Sequence, residues 1–259
     1  MIKKIFLMLL ISIMAINLKA SELNLGIGVG SLYYPDYIGS KTSHVLTVPL
    51  PYIDYKSETL NIDEDGINKK LFGLKDLELD ISISGSLPSN SKDNKLRKGM
   101  PDLQFTFEVG PKLLYKFYEK DNYIFSLVLP VRAVFATNLK ELNGEGFRLS
   151  PTFRADYNKN NFEITYKSIF NFADSKYHNY FYGVEKKHVT INRPEYHAKS
   201  GYSSFENRVG MTYKHNKMLY GAYASYHMLQ GATYLDSPLV ETKSAFFTGI
   251  SATYIFYTD

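Results

Sequence analysis

Alternation of apolar and polar residues over long stretches is the feature that most constrains the fold of this chain. From residue 103 to residue 117, apolar side chains occupy every second position and mostly polar ones lie between them. Because successive side chains of a strand point to opposite faces, a β-strand sorts these residues into one apolar and one polar face, and a helix does not. The same alternation is found at residues 23–30, 77–84, 147–157, 162–172, 220–228 and 246–256.

The length of these stretches indicates a membrane barrel. Most run for roughly 8 to 15 residues, whereas strands of soluble proteins average about 5 or 6 and a tilted membrane strand needs about 9 to 11. Long strands with one apolar, aromatic face and one polar face predict an all-β fold, a transmembrane antiparallel β-barrel. A secreted β-sandwich is the alternative, but it would use shorter strands and hide its apolar faces between two sheets.

Composition excludes several other classes. The chain of 259 residues has 22 Tyr and 17 Phe but neither Trp nor Cys, so that disulfides, thiolate metal sites and cysteine nucleophiles are excluded. It has no apolar run long enough for a membrane helix. Three of the positive charges behind the formal net charge of +4 are Lys3, Lys4 and Lys19, so residues 21–259 are close to neutral. We therefore expect no nucleic-acid partner.

The first twenty residues have the features of a secretory signal peptide. Lys3 and Lys4 precede an apolar run at residues 5–16, and Ala20 suits the position before a signal-peptidase cleavage site. A retained membrane anchor is the alternative, but it would need about 20 apolar residues. We predict a signal peptide at 1–20 and a barrel domain at 21–259, exported to the outer membrane of a Gram-negative cell.

Loop lengths predict about twelve strands. Tight connections near residues 56–57, 119–122, 158–161 and 215–217 alternate with long ones at 34–43, 88–102, 138–144, 174–200 and 230–242. Short periplasmic turns and long outer loops are typical of outer-membrane barrels. Because tight and long connections lie at opposite ends of the barrel, the chain must cross the membrane an odd number of times between residues 58 and 87. Three crossings fit, at 58–64, 67–72 and 77–87. The middle hairpin is weakly patterned, so ten strands remain an alternative.

Prolines and charges mark the predicted strands. Pro49, Pro51, Pro111, Pro130 and Pro151 lie inside strands, where a missing N–H predicts bulges or broken pairing. A turn at residues 119–122 that pairs Phe117 with Tyr123 would place Glu108 opposite Arg132, as a charge pair in the lumen. The charged residues predicted to face inward are Glu78, Asp80, Glu108, Asp156, Glu163, Glu206, Lys112, Lys116, Arg132, Arg148, Arg154, Lys167, Arg208 and Lys214.

Two interpretations of this mixed-charge lumen remain open. A buried charge is costly unless it is paired or hydrated. Ion pairs could therefore close the lumen of a structural barrel, which is the interpretation we favour. A hydrated pore with mixed-charge walls is the alternative, and twelve strands leave only a modest interior for it.

The sequence contains no recognisable enzyme or metal-binding motif. Neither H-E-x-x-H nor G-x-S-x-G occurs, although a Ser–His–carboxylate group could still assemble in space. The three histidines at 178, 188 and 197 share one long loop with several lysines, which could bind a metal or an anionic sugar, but a solvated, mobile loop is favoured. Asp63 and Asp65 lack the spacing of a calcium loop. We predict a protein that is not an enzyme and has no cofactor, metal or catalytic residues.

Two sequence blocks resemble a known family. The first runs from Gly28 through Tyr34, Pro35, Asp36, Gly39 and Ser40 to a Pro49-Leu50-Pro51 segment, and the second contains Asp236, Ser237 and Pro238 ahead of the closing strand. Together they resemble the MltA-interacting protein (MipA/OmpV) family of outer-membrane proteins, across the whole mature chain. Pro and Asp fix turns, so we interpret both blocks first as features that close the barrel and shape its loops.

The resemblance implies a function as well as a fold. It implies a scaffold that links a lytic murein transglycosylase to a peptidoglycan synthase, in contact with outer-membrane lipid and lipopolysaccharide. Short periplasmic turns offer little surface for such partners, so a narrow pore and a surface adhesin that uses residues 174–200 stay as alternatives. Barrels of this class commonly end on an aromatic residue, whereas here Phe256 is followed by Tyr257, Thr258 and Asp259.

Overall fold

The computed structural model describes residues 22–57, 60–63, 66–138 and 140–259. The predicted signal peptide at 1–20 lies outside the described residues. The strands are β1 (Glu22–Pro35), β2 (Ser43–Lys56), β3 (Leu60–Asp63), β4 (Gly66–Gly73), β5 (Leu77–Ser86), β6 (Phe105–Lys120), β7 (Tyr123–Thr137), β8 (Leu142–Leu149), β9 (Thr152–Lys159), β10 (Phe162–Ala173), β11 (Gly201–His215), β12 (Met218–Met228) and β13 (Ser244–Thr258).

The strands form one antiparallel sheet that returns to its start, and apart from β8 and β9, which do not pair with each other, each pairs with its sequence neighbours. β13 pairs with β1, and β10 pairs with β11, so that each strand has a partner on both sides. β8 and β9 are two halves of one strand, since both pair with β7 and with β10. The wall therefore has twelve strands, which confirms the predicted barrel and the three crossings expected between residues 58 and 87.

One α-helix, α1 (Ser175–Tyr182), and two short 3₁₀-helices, Ser91–Asp93 and Lys186–His188, lie in the long connections. Asp174 caps α1 by accepting a hydrogen bond from the Tyr177 N–H at 2.9 Å. In the described part of the chain, no helix is long and apolar enough to cross a membrane.

The rim at which β1 begins and β13 ends has tight turns. The strand pairs β6–β7, β9–β10 and β11–β12 are each joined by two residues, and the first of each two has positive φ: Asp121, Asn160 and Asn216 at 53°, 55° and 53°. Asp and Asn tolerate this conformation better than other non-glycine residues. We call this the inner rim, and the opposite end, which carries the long connections, the outer rim.

The prolines interrupt the sheet where expected, except at Pro49 and Pro51. The β6–β7 ladder is broken opposite Pro111, and the Ser150–Pro151 step separates β8 from β9 beside Pro130. Pro49 and Pro51, by contrast, lie in an unbroken β1–β2 ladder, opposite Val29 and Ile27.

The predicted register between β6 and β7 was wrong. Lys120, not Phe117, lies opposite Tyr123, and a bulge at Lys116–Tyr118 adjusts the ladder, so that Glu108 faces Val134 and not Arg132. The β6–β7 turn consists of two residues, whereas residues 119–122 were expected to form it. From Phe105 to Lys116 the partners are shifted by two residues from the predicted ones, so these side chains keep the predicted face of the sheet, whereas beyond the bulge the shift is three.

Candidate functional site

Four connections at the outer rim fold together over the barrel. Residues 36–42, 87–104, 174–200 and 229–243 form what we call the outer cap. Its core is apolar and aromatic, and it contains Tyr37, Leu103, Tyr182, Val184, Ala198, Leu229, Ala232, Tyr234 and Leu239. Residues 174–200 were expected to be a solvated loop, and this expectation was wrong. The segment supplies a helix and three members of the buried core.

Two stacked tyrosines occupy the centre of the cap. The rings of Tyr182 and Tyr234 lie 3.7 Å apart with an interplanar angle of 6°. Their hydroxyls donate to backbone carbonyls, Tyr182 to Ile38 at 2.9 Å and Tyr234 to Ser203 at 2.8 Å. Burial raises the pKa of both hydroxyls. Both tyrosines therefore stay neutral donors, and they join residues 174–200 and 229–243 to the first connection and to β11.

Asp36, from the first sequence block, is a buried hub. Its Oδ1 accepts hydrogen bonds from the Ser89 hydroxyl at 2.7 Å and lies 2.7 Å from His44 Nε2, and its Oδ2 accepts from the Asn94 amide at 2.8 Å. Asn94 also donates to the Ser40 hydroxyl at 3.1 Å. One carboxylate thus fastens residues 87–104, which we call the strap, to the β1–β2 connection.

The other residues of the two blocks also join connections to one another. Tyr37 donates to the Leu239 carbonyl at 2.7 Å, and Ser237 donates to the Tyr182 carbonyl at 2.7 Å. Gly39 has φ of 99°, and its carbonyl accepts from the Glu241 and Thr242 amides at 2.8 and 3.1 Å. Tyr34 and Pro35 end β1 ahead of this turn, and Asp236 and Pro238 flank Ser237.

Two buried arginines stabilise the cap through hydrogen bonds to its backbone carbonyls. Arg193 donates to the carbonyls of Leu96 and Lys98 on the strap, and to the carbonyl of His188. Arg97 donates to the Phe181 carbonyl at 2.9 Å and to the Pro101 carbonyl at 3.1 Å. Burial lowers the pKa of Arg97. Because a guanidinium presents five donors in a rigid fork, each arginine fixes several backbone segments at once.

His178, one of the three loop histidines, is fully buried in the cap. Its Nδ1 lies 2.6 Å from the Lys199 carbonyl, and its Nε2 lies 2.7 Å from the Ser203 hydroxyl. Burial lowers its pKa, which favours the neutral ring. His197 instead pairs with Glu195 at the surface. Among the described residues, no group of His, Asp and Glu side chains could hold a metal ion.

A groove of about 470 Å³ opens in the outer surface of the cap. Its walls come from the strap at residues 97 and 100–103 and from residues 176–197, with Glu145 of β8 at one side. Several polar groups of the walls form hydrogen bonds within the protein. Asn179, for example, donates to the Ser175 and Ala198 carbonyls, and the Tyr180 hydroxyl accepts from the Gln104 amide.

Beneath the cap, charged side chains bond across the lumen. Glu108 accepts a hydrogen bond from Arg148 and lies 3.9 Å from Arg132 Nη1. Arg148 also donates to Asn171 at 3.0 Å, and its guanidinium lies 5.3 Å from the centre of the Tyr177 ring of α1. The nearest partner of Glu108 is therefore on β8, a strand that the sequence argument did not connect with it, and the cluster reaches the floor of the cap.

Further ion pairs line the lumen towards the inner rim and along its walls. The nitrogen–oxygen distances are 3.1 Å for Lys112–Asp80, 3.5 Å for Lys116–Glu78, 2.8 Å for Arg154–Asp156 and 2.7 Å for Arg208–Glu206. Side chains of opposite charge thus neutralise one another at several heights of the barrel.

A Ser–His–carboxylate group does assemble in the lumen, but its geometry does not suit a hydrolase. Ser225 donates to Glu206 at 2.7 Å, and its hydroxyl lies 3.3 Å from His227 Nε2. Glu206 approaches the same Nε2, at 3.7 Å, and His227 Nδ1 has no partner in the described structure. A catalytic triad needs the carboxylate on the other ring nitrogen, to orient a base for the serine proton.

The residues that join the cap carried little sequence signal. Arg97, Arg193 and Asn94 read as ordinary loop residues, because their partners are backbone carbonyls and residues more than fifty positions away. The clustering of aromatic residues with Pro and Asp in long connections was the available clue.

The chain is similar to one protein family and to several solved structures. A family model described as "MltA-interacting protein MipA" matches residues 27–256. No curated protein matches the chain in sequence. Among solved structures, the outer membrane protein OmpT of Vibrio cholerae is similar over 90% of this chain and 99% of that chain, with 8% identity and a TM-score of 0.38.

Two further structures are similar at the same level. The toluene transporter TodX of Pseudomonas putida is matched over 91% of this chain and 89% of its own, with 10% identity and a TM-score of 0.36. For the outer membrane protease OmpT of Escherichia coli the coverages are 93% and 98%, with 8% identity and a TM-score of 0.34. These likenesses concern the fold alone.

Proposed function

The chain belongs to the MltA-interacting protein MipA family of outer-membrane barrels, and from this premise we propose that it is a non-enzymatic scaffold that binds a murein transglycosylase at its inner rim. A peptidoglycan synthase is the expected second partner. The inner rim faces the periplasm in this proposal, since outer-membrane barrels place their short turns there.

The observation that carries the proposal is the pairing of charged side chains along the lumen beneath the cap. Ion pairs neutralise one another along the lumen, and the interlocked cap covers its outer mouth. This architecture disfavours bulk transport, and the geometry at Ser225 and His227 disfavours hydrolysis. The two rims are left as the surfaces that can act on other molecules.

The inner rim offers one concave basic surface. A groove of about 370 Å³ is lined by Lys214, Asn216, Lys217 and residues 255–258. Tyr257 is half exposed at its edge, past the residue at which such barrels commonly end. The exposed tyrosine matches the enrichment of aromatic residues at protein interfaces, and the two lysines favour an acidic segment of the partner.

Site-specific photocrosslinking tests this proposal. A photoreactive benzoylphenylalanine replaces Tyr257, and a matched control replaces Leu74, which is exposed in the β4–β5 turn on another part of the rim. We expect a crosslink to a murein transglycosylase from position 257 only, and its loss in the double variant Lys214→Glu, Lys217→Glu. Failure to crosslink at position 257 in intact cells would reject the scaffold.

A surface-binding function is the second candidate, and one observation favours it. Ile191 is fully exposed at the tip of a two-residue turn between Thr190 and Arg193, which exchange backbone hydrogen bonds at 3.0 and 3.1 Å. The buried Arg193 side chain holds this turn rigidly. If the turn contacts a host surface or matrix, Ile191→Ser reduces binding of whole cells, and unchanged binding removes this candidate.

Planar-bilayer recording tests the remaining alternative, a narrow pore. Heat-modifiable migration first identifies folded protein. We expect no discrete conductance from the folded barrel, because the lumen charges are paired. Reproducible single-channel steps would move transport ahead of the scaffold.

A further inference from the structure

The outward face of the barrel wall carries a small group of polar side chains on two neighbouring strands. Tyr166 and Ser168 lie on β10, and Asn207 of β11 lies opposite Ser168 in the ladder. The side chain of Asn207 points away from the lumen, because its neighbours Glu206 and Arg208 form an ion pair inside the barrel and successive side chains of a strand alternate. We call Tyr166, Ser168 and Asn207 the polar cluster.

The polar cluster lies at membrane depth. Ser168 is six residues beyond Phe162, at which β10 begins, and Asn207 is eight residues from His215, at which β11 ends. A strand tilted by about 40° rises roughly 2.5 Å per residue along the membrane normal, so the cluster lies roughly 15–20 Å above the inner turns. The apolar band of an outer-membrane barrel is about 25 Å tall, and the cluster therefore lies within it.

Apolar side chains flank the polar cluster on both sides along the strands. Towards the outer rim, the rings of Phe170 and Phe205 lie 4.7 Å apart, and Phe170 is half exposed on the wall. Towards the inner rim, Val209 and Met211 of β11 are exposed on the same face as Asn207. The polar cluster thus interrupts a surface that is otherwise suited to lipid.

Hydrogen bonds within the polar cluster leave donors and acceptors unused. The Tyr166 hydroxyl donates to Asn207 Oδ1 at 2.6 Å, and the Ser168 hydroxyl lies 3.2 Å from the same oxygen and 2.8 Å from the Tyr166 hydroxyl. The Asn207 amide has two N–H donors, and they reach no acceptor among the described residues. Because an unpaired donor is costly in hydrocarbon, the amide calls for an acceptor from outside the chain.

A second copy of the same surface supplies that acceptor. In an isologous contact a patch meets itself across a two-fold axis, so it must carry complementary groups. The polar cluster has both kinds: free N–H donors on Asn207, and hydroxyl oxygens with unused lone pairs on Tyr166 and Ser168. An axis through the cluster directs the amide of each copy towards the hydroxyls of the other.

Small side chains beside the polar cluster leave room for a second wall. Ala155 of β9 lies opposite Tyr166, and Ala224 of β12 lies opposite Val209. Between membrane helices, small residues let two backbones approach, and Ser, Thr and Asn side chains then form hydrogen bonds from one chain to the other. The same packing argument applies to two strand walls.

From these features we propose that two copies of the chain associate in the membrane through β10 and β11, with the Asn207 amide of each copy donating to the polar cluster of the other. The contact lies on the wall of the barrel and leaves the inner rim accessible. This inference is therefore independent of the scaffold function.

Cysteine crosslinking in native outer membranes tests the proposal, since the chain has no Cys. Val209→Cys places a thiol at the next outward-facing position of β11 after Asn207. Leu127→Cys is the matched control, because Leu127 is an exposed aliphatic residue on the wall at β7. Heat-modifiable migration identifies folded protein, and a short bis-maleimide joins thiols of adjacent copies. We expect a crosslinked dimer from Val209→Cys and monomer from Leu127→Cys.

Changes in the polar cluster then test how the two copies are held together. In vesicles at low protein density, Asn207→Leu in the Val209→Cys background should lower the crosslinked fraction about tenfold, since two sets of hydrogen bonds between the copies are lost. The double change Tyr166→Phe, Ser168→Ala removes the acceptors and should have a similar effect, whereas Met211→Leu should have none.

Three results would overturn the proposal. Absence of a dimer from Val209→Cys, or an equal dimer from Leu127→Cys, rejects the interface. A dimer that persists in both polar-cluster variants rejects the assigned hydrogen bonds. Purified protein that is monomeric, and that retains lipopolysaccharide which Asn207→Leu loses, identifies the occupant as a lipid instead of a second copy.

Discussion

The two rims of the barrel are built by opposite means. At the inner rim, three connections have two residues each, and each depends on one residue that tolerates positive φ: Asp121, Asn160 or Asn216. At the outer rim, four connections depend on one another, through the Tyr182–Tyr234 stack, the Asp36 hub and the two buried arginines. Inner-rim structure is therefore encoded locally, and outer-rim structure is encoded in pairs of residues that are far apart in the sequence.

This difference has consequences for stability. A change in one inner turn should affect only its own hairpin, whereas a change in the cap should release several connections together. Because the sheet is held by its own ladder of hydrogen bonds, the cap can open while the barrel stays folded. Protease cleavage of the cap and heat-modifiable migration of the barrel therefore distinguish opening of the cap from unfolding of the barrel.

The largest effect is expected for Tyr234→Ala. The substitution removes a side chain that is 1% exposed together with its ring stacking, and truncation of a buried aromatic residue costs roughly 3–5 kcal/mol. Protease cleavage within residues 174–200 should accelerate strongly, and heat-modifiable migration should be kept. Tyr234→Phe is the matched control, since it loses only the hydrogen bond to Ser203 and about 1 kcal/mol. Equal cleavage rates for the two variants would contradict a packed cap.

The next largest effect is expected for Asp36→Ala. It leaves the buried donors of Ser89 and Asn94 without their acceptor, at a cost of about 3 kcal/mol in the free energy of cap opening. Cleavage of the strap, measured by mass spectrometry of the fragments, should increase. Asp93→Ala, which changes an exposed carboxylate on the same strap, should not alter it. A strap that stays protected in Asp36→Ala would show that the hub is dispensable.

The same contrast explains what could be predicted from the sequence. Apolar–polar alternation and turn residues are local features of the sequence, and they predicted the twelve strands, including the three between residues 58 and 87. The register at Glu108 failed because a single bulge and a shorter turn, which alternation does not detect, changed the pairing. The cap was missed for a stronger reason. Arg193 and Arg97 donate hydrogen bonds to backbone carbonyls. Because every residue has a carbonyl, the residue type at the accepting position does not identify it as their partner.

A smaller, pH-dependent effect is expected in the cap. Burial lowers the pKa of His178 in the folded cap, so the opened cap binds the proton more readily. The contribution of neutral His178 to the free energy of cap opening should therefore be fully present above the ordinary histidine pKa of about 6.5, and it should decline as the pH falls below that value. Hydrogen exchange of residues 174–200 at pH 7.5 and pH 5.5 measures the decline. His178→Gln should abolish the pH dependence attributable to this ring, and an unchanged dependence would assign it to other groups.

The smallest effect is expected at the inner rim. Asn160→Ala places a less tolerant residue at a φ of 55° and should cost about 1–2 kcal/mol of barrel stability in urea unfolding, whereas Asn160→Gly should change it little. Neither variant should alter protease cleavage of the cap.

The free-energy costs of changes in two inner turns should add. Asn216→Ala in the next hairpin should contribute its own cost independently of Asn160→Ala, since the two turns share no described side-chain contact. In the cap, by contrast, Tyr234→Ala and Asp36→Ala together should cost less than the two separate effects, because either one already releases connections that the other stabilises. Additivity at both rims would show that the cap is a set of independent loops, and it would remove the distinction between the two ends of the barrel.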